Sequence, residues 1–305
     1  MTSVTSVVVA STLFVQPVSA GGFGFVDIKQ YDYKTSVTQA RQVIQSDTRD
    51  SQVKSECRPI LKTHGRKTAK AVLMLHGISA CPEQFSQLAD YFYNQGYNVY
   101  VPRVPQHGRV NLRDYAQLTR KEMTDFMNQS ASITSGLGDE RGLVGLSGGG
   151  NMATWLSQFG SHVFSRTLLL APFYQPSSKH MSSWQAPLLR NLYGRNILPD
   201  RWLGAMSYRV LGKYMLLVKK YKRDLDAPGL KHVAVVLSER DEEIDANLAR
   251  SIPEKMAKNN HASFKLETLP ASLGVGHDMV SPQADGMPQA KSQLYAKYFR
   301  LYEAK

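Results

Sequence analysis

Arg141-Gly142-Leu143-Val144-Gly145-Leu146-Ser147-Gly148-Gly149 carries a short apolar run into a G-x-S-x-G pentapeptide, and Asn151-Met152-Ala153-Thr154-Trp155-Leu156 can continue it as a helix. A serine hydroxyl is a poor nucleophile at neutral pH unless it is held clear of the backbone and within reach of a base. A sharp strand-to-helix turn presents Ser147 in that way. The supporting residues Gly145 and Gly149 lack the Cβ that would strike such an elbow. Any glycine-rich turn can produce the pentapeptide by chance, so the surrounding sequence has to decide.

Roughly seventy residues upstream, Ala71-Val72-Leu73-Met74-Leu75 is continuously apolar and ends in His76-Gly77-Ile78-Ser79. Such a run reads as a central parallel strand buried on both faces. Acyl transfer needs two backbone N–H donors for the developing oxyanion, one after the nucleophile and one from the loop after this strand. Gly148 and Ile78 are the candidates, with His76 and Gly77 as their supporting motif. The alternative for His76-Gly77 is a plain strand terminus with a capping glycine. His64-Gly65 repeats the dipeptide without an apolar strand before it and reads as a hairpin turn.

A base and its orienting acid are needed next. The run His232-Val233-Ala234-Val235-Val236-Leu237 is followed by five acids, Glu239, Asp241, Glu242, Glu243 and Asp245, any of which could accept an imidazole proton. Among eight histidines, His277 stands apart, because Gly274-Val275-Gly276-His277-Asp278 follows the last strand-like run, Phe264 to Leu269, and precedes the C-terminal helix pattern. His277 can take the serine proton and return it to the leaving group. His162, His180, His232 and His261 lie in helix, cap or turn contexts, and His107 belongs to the loop after Tyr97 to Val101.

Strand-like runs at 71–75, 97–101, 142–146, 167–171, 233–238 and 264–269 alternate with helical segments, which predicts an α/β fold with a mostly parallel sheet covered on both faces. Pro82 suits a helix start, Phe85, Leu88, Ala89 and Phe92 make its apolar stripe, and Gly96 stops it. Ala290, Leu294, Tyr298 and Leu301 mark a final helix.

Together His76-Gly77-Ile78, Pro82-Glu83-Gln84-Phe85, Gly96-Tyr97-Asn98-Val99 leading to Pro102-Arg103, His107-Gly108, Gly145 to Gly149, Asp241 and His277 resemble the α/β-hydrolase superfamily over roughly residues 57 to 303. The nearest resemblance is to the monoacylglycerol lipase, carboxylesterase and serine aminopeptidase group. It implies an α/β-hydrolase fold with a helical cap insertion, and it favours Asp241 among the five acids because the family's acid falls at that distance from the strand, with Glu242 next. Gln106 departs from the pattern, since relatives often carry glycine before the His-Gly pair. The implied chemistry is a serine hydrolase cleaving carboxylic esters, as a carboxylesterase or lipase acting on substrates such as a monoacylglycerol or lysophospholipid. The competing readings are an amidase or peptidase of the same fold, and a hydrolase-like binding protein with little turnover.

The predicted organisation is a leader at 1–20, an N-terminal extension at 21–56, and a hydrolase domain at 57–305 with its cap at about 174–230. Between Lys179 and Arg223 stand ten lysines and arginines against the single acid Asp200, so this segment holds most of the chain's formal charge of +12. Apolar residues such as Trp184, Leu188, Trp202, Leu203 and Met206 are interleaved with them. A basic, apolar-rich cap fits adsorption to an anionic membrane surface or an acyl-chain pocket with a positive rim; the alternative is an ordinary helical cap with solvated charges. No nucleic-acid-binding motif accompanies the basic balance, and no zinc or nucleotide motif appears, so no metal, cofactor or nucleic-acid partner is implied beside a small-molecule ester.

Val7 to Val15 is moderately apolar, and Val18-Ser19-Ala20 has the small-residue pattern of a signal-peptide cleavage site, although a basic n-region is absent. These features point to a periplasmic or secreted protein. In an oxidising compartment the only two cysteines, Cys57 and Cys81, can close into a disulfide that braces the loop at Ile78; in the cytoplasm they would remain thiols.

Overall fold

The computed structural model describes residues 22–182 and 184–304, so the expected leader at 1–20 lies outside the described residues. Helix α1 (Tyr33–Arg49) precedes strand β1 (Ile60–Lys62), strand β2 (Thr68–Leu75), helix α2 (Ser86–Asn94) and strand β3 (Asn98–Val101). Helix α3 (Arg120–Ser135), strand β4 (Gly138–Leu146), helix α4 (Gly148–Phe159) and strand β5 (Arg166–Leu170) follow. The cap segment then holds helix α5 (Gln185–Leu188), strands β6 (Trp202–Leu203) and β7 (Met206–Ser207), and helix α6 (Tyr208–Val218). Strand β8 (His232–Ser238), helix α7 (Ala246–Asn259), strand β9 (Ser263–Leu269) and helix α8 (Met287–Tyr302) complete the chain.

Seven strands form one sheet in the order β1-β3-β2-β4-β5-β8-β9. All neighbours are parallel except β1, which runs antiparallel to β3. The chain winds outward from β2 to β3 and then returns to place β4 on the other side of β2. Ligands of open α/β sheets bind at such a reversal, outside the carboxyl ends of the strands. The register pairs Leu75 with Gly145, which sets His76-Gly77-Ile78 directly beside Leu146-Ser147-Gly148.

Burial explains why the strands could be read. Val72 to Leu75, Leu143, Val144 and all of β8 are buried, because helices cover both faces and leave no solvent side to alternate with. His64-Gly65 does form a turn, with Gly65 at φ +75°, but β1 pairs with β3 rather than with β2. The expected hairpin is therefore corrected to a crossover. Gln106, the departure from the family pattern, sits at φ +65°, a left-handed conformation that glycine adopts without strain. Its side-chain amide donates to Glu122 Oε1 at 3.0 Å.

Residues 22–32 run as an arm along α3. The N–H groups of Gly24, Lys29 and Tyr31 donate to the hydroxyls of Thr124, Ser132 and Ser135, and Asn128 donates to the Phe25 carbonyl. A polar stripe on α3 is thus buried with its partners supplied by the extension. Among the described residues no helix is long and apolar enough to cross a membrane.

Lys213 departs from the solvated charge expected of the cap. It is 2 % exposed and donates to the Ala116 carbonyl at 3.3 Å, and burial pushes its ammonium down to about 8. On α6 Val210, Leu216 and Leu217, three and four positions from Lys213, are also buried, so the helix is enclosed on the side where Lys213 lies. Lys179 and Lys222 pair with Glu242 and Asp226, and Arg209 donates to the Leu198 carbonyl.

Candidate active site

Ser147 occupies the turn between β4 and α4 with φ 55° and ψ −118°, a region that costs a non-glycine residue about 1–3 kcal/mol and is kept only where the surroundings impose it. They do so here: its N–H donates to the Leu170 carbonyl at 2.9 Å and its carbonyl accepts from Phe173 N at 2.9 Å. A Cβ at Gly145 would stand 2.4 Å from the Gly149 carbonyl oxygen, and one at Gly149 would stand 1.9 Å from that of Leu75. Both glycines are required by backbone contact. Gly148 has another reason, since its Cβ would meet the Ile78 side chain at 2.5 Å and the Tyr214 ring at 2.9 Å.

The acid loop brings one carboxylate to the imidazole. Asp241 Oδ2 lies 2.8 Å from His277 Nδ1, and its side chain is only 4 % exposed. Oδ1 accepts the Glu243 N–H at 2.9 Å, so both carboxylate oxygens are held. Glu242 turns away to Lys179, 2.5 Å from its Nζ. Ser238 Oγ donates to the Val275 carbonyl at 2.5 Å and ties the acid loop to the histidine loop. His277 and Asp241 therefore keep their relation through backbone ties on both sides.

The loop after β2 is anchored at three points. His76 is fully buried, its Nε2 accepts the Val104 N–H at 3.0 Å, and its Nδ1 lies 2.9 Å from the Gly77 carbonyl. These partners assign the proton to Nδ1. Burial, with the nearby His107, pushes the imidazole down to about 3, so it stays neutral. Gly77 N–H donates to Gln84 Oε1 at 2.9 Å, and Gln84 Nε2 donates to Asp278 Oδ2 at 3.1 Å. The third anchor is the Cys57–Cys81 disulfide, with Cα atoms 5.2 Å apart. Ile78, between these anchors, is buried beside Gly148. As the first residue of α4, Gly148 has an N–H without an intrahelical acceptor.

Ser147 and His277 line one cavity of about 40 Å³. Phe173, Met181, Leu203, Met206, Tyr208 and Leu211 form its apolar wall, and Pro176, His180 and Glu243 complete it. Its lining comes from both the loops at the strand ends and the segment between β5 and β8. A larger hollow of about 590 Å³ lies between the N-terminal arm and α3 and contains none of the candidate residues. Sequence reading missed the Gln84–Asp278 link, because 194 positions separate the two; the signal available was only that both sit inside quoted motifs. It also set aside His180 as a cap residue and Glu243 as a solvated charge. Among the described residues no group of three or more His, Cys, Asp or Glu side chains is placed to hold a metal ion.

The alpha/beta hydrolase family model matches residues 72–291, and the chain belongs to that family. In structure it is similar to a metagenome-derived lipolytic enzyme, with 17 % identity and a TM-score of 0.59 over 83 % of this chain and 100 % of that one. It is similar also to a soluble variant of monoglyceride lipase from Saccharomyces cerevisiae bound to a substrate analog, with 14 % identity and a TM-score of 0.59 over 80 % of this chain and 91 % of that one. The monoacylglycerol lipase of Paleococcus ferrophilus aligns at 15 % identity and a TM-score of 0.58, covering 81 % of this chain and 100 % of that one. At these identities the likeness is one of fold. Comparison with curated proteins gives no match.

Proposed function

We propose that the chain is a serine hydrolase that cleaves carboxylic esters through an acyl-enzyme. The observation that carries this reading is a serine held at a strained elbow in the same cavity as a histidine whose Nδ1 rests on a buried aspartate. Ser147 Oγ attacks the ester carbonyl while His277 Nε2 takes its proton. Asp241 fixes the tautomer and stabilises the imidazolium. The Ile78 and Gly148 N–H groups receive the oxyanion. His277 then protonates the departing alcohol, and water, activated by the same imidazole, releases the acid.

An amidase would use the same residues on a poorer leaving group. A pure binding protein has no need of a strained serine, an imidazole and a buried carboxylate in this order. The hydrolase domain is assigned to 57–305, with the cap at about 174–230 and residues 21–56 as an extension strapped onto α3.

The disulfide suits an oxidising compartment, which supports a periplasmic or secreted location. Exposed Trp184, Leu188, Ile197 and Leu203 lie in the basic cap segment, and this supports contact with an anionic lipid surface. Cosedimentation with phosphatidylglycerol vesicles should fall as salt rises and fall further in a Lys219, Lys220, Arg223 to glutamine variant; equal binding by both proteins contradicts it.

A fluorophosphonate probe read by intact mass, with a panel of p-nitrophenyl esters and aminoacyl anilides, tests the main reading. One covalent adduct with ester turnover is expected. Anilide turnover exceeding ester turnover would move the protein to the amidase class, and no adduct would remove it from the serine hydrolases.

A further inference from the structure

The acid loop holds five carboxylates, and four of them have a definite task. Glu239 accepts the Ala271 N–H at 2.8 Å, Asp241 holds His277, Glu242 is paired with Lys179, and Asp245 caps α7 through the Leu248 N–H at 3.0 Å. Glu243 is different. Among the described residues its carboxylate is approached only by His180 Nε2 at 3.6 Å, too far for a hydrogen bond, and the pair is electrostatic only when that imidazole is protonated. Yet Glu243 lines the cavity that contains Ser147 and His277.

Its place there is fixed rather than incidental. The Glu243 N–H is bound to Asp241 Oδ1 and its carbonyl accepts Ser177 N at 3.0 Å, while Pro176 and Ile244 form an antiparallel bridge between the start of the cap segment and the acid loop. The backbone that carries the carboxylate is thereby attached to the residue that orients His277. In ester cleavage the imidazole must reach the alcohol oxygen to protonate it, so the alcohol half lies on the His277 side. Glu243, 50 % exposed, stands where that half faces solvent.

We propose that Glu243 forms a subsite for a positively charged ammonium group on the alcohol of the ester. This rests on the ester-hydrolase reading and adds the chemical class of the leaving group. A carboxylate that lines the same cavity as the rings of Phe173 and Tyr208 can combine charge attraction with the negative face of aromatic rings, the chemistry that recognises quaternary ammonium groups. The net charge of +12 does not oppose this at contact range, since exposed charges are screened beyond about 8 Å at physiological salt. Lys179 of the cap segment is occupied by Glu242.

The experiment compares two esters with one acyl group and alcohols of one shape, acetylcholine and its uncharged carbon isostere, 3,3-dimethylbutyl acetate. In the wild type kcat/KM should favour the cation by about tenfold, in keeping with a partly exposed charge pair reinforced by aromatic rings. In Glu243→Gln the ratio should fall toward one, and in Glu242→Gln it should keep its wild-type value. A wild-type ratio near one, or a preference that survives Glu243→Gln, overturns the subsite. Saturation-transfer NMR with choline reads the subsite without any turnover: binding lost in Glu243→Gln supports it, and no binding by the wild type overturns it. Choline binding without hydrolysis of either ester would instead contradict the ester-hydrolase reading and leave the subsite standing.

Discussion

His277 Nδ1 stands 2.8 Å from Asp241 Oδ2, while the adjacent carboxylate of Glu242 is turned out to Lys179. Two consecutive acids thus have opposite roles, and their substitutions should separate cleanly. Asp241→Asn presents an amide where the imidazole needs an acceptor and should lower kcat by about ten-thousandfold. Glu242→Gln removes only an exposed, solvent-screened pair and should change kcat less than about twofold. Steady-state kinetics on a p-nitrophenyl ester gives the comparison; a large loss in Glu242→Gln with a small one in Asp241→Asn would reassign the acid.

Three buried histidines, His76, His107 and His232, are held below the ordinary imidazole value by burial and make stability depend on pH. Burial holds His76 at about 3 and His107 at about 4, below the ordinary value near 6.5. The folded chain therefore binds fewer protons than the unfolded chain between these values. Stability from this source is full above about pH 6.5 and is lost as pH falls toward 4 and then 3. At pH 5 the loss should be about 2 kcal/mol for each of His76 and His107. Urea titrations at pH 7.5 and pH 5, both above the carboxylate range, should differ by that order, and His107→Gln should narrow the gap. Equal stability at the two pH values would contradict the buried neutral state.

The Cys57–Cys81 bond closes a loop with a sequence separation of 24 and should contribute about 3 kcal/mol. It also abuts Gly108, where a Cβ would fall 2.5 Å from that of Cys57, so the region has no slack. The Cys57→Ala, Cys81→Ala variant should unfold at lower urea and show a lower kcat, since Ile78 loses one of the anchors of its loop. Unchanged urea midpoint and kcat would limit the bond to an incidental role.

The sequence disclosed the central strands because β2, β4, β5 and β8 are buried on both faces and read as unbroken apolar runs. Strand β1, three half-buried residues at the sheet edge, carries no such pattern. Helix α1 has a polar sequence and was invisible to a search for apolar stripes. The candidate serine, acid and histidine stand out in the sequence for another reason: each follows a strand end, where the loop must turn sharply or end in glycine. What could not be read was the set of contacts that crosses the chain. Gln84 meets Asp278, Glu243 turns into the serine's cavity, and Lys213 is buried against Ala116; in each case the partner is far away in sequence and the residue type alone suggests a solvated surface.

Covalent labelling of Ser147 tests the central claim most directly. Wild-type protein treated with a fluorophosphonate should gain one adduct on intact-mass analysis and lose its esterase activity in step. Ser147→Ala, with an unchanged circular dichroism spectrum, should gain none and turn over ester at least about ten-thousandfold more slowly. An alanine variant that is labelled and turns over ester at the wild-type rate would contradict the assignment of Ser147 as the nucleophile.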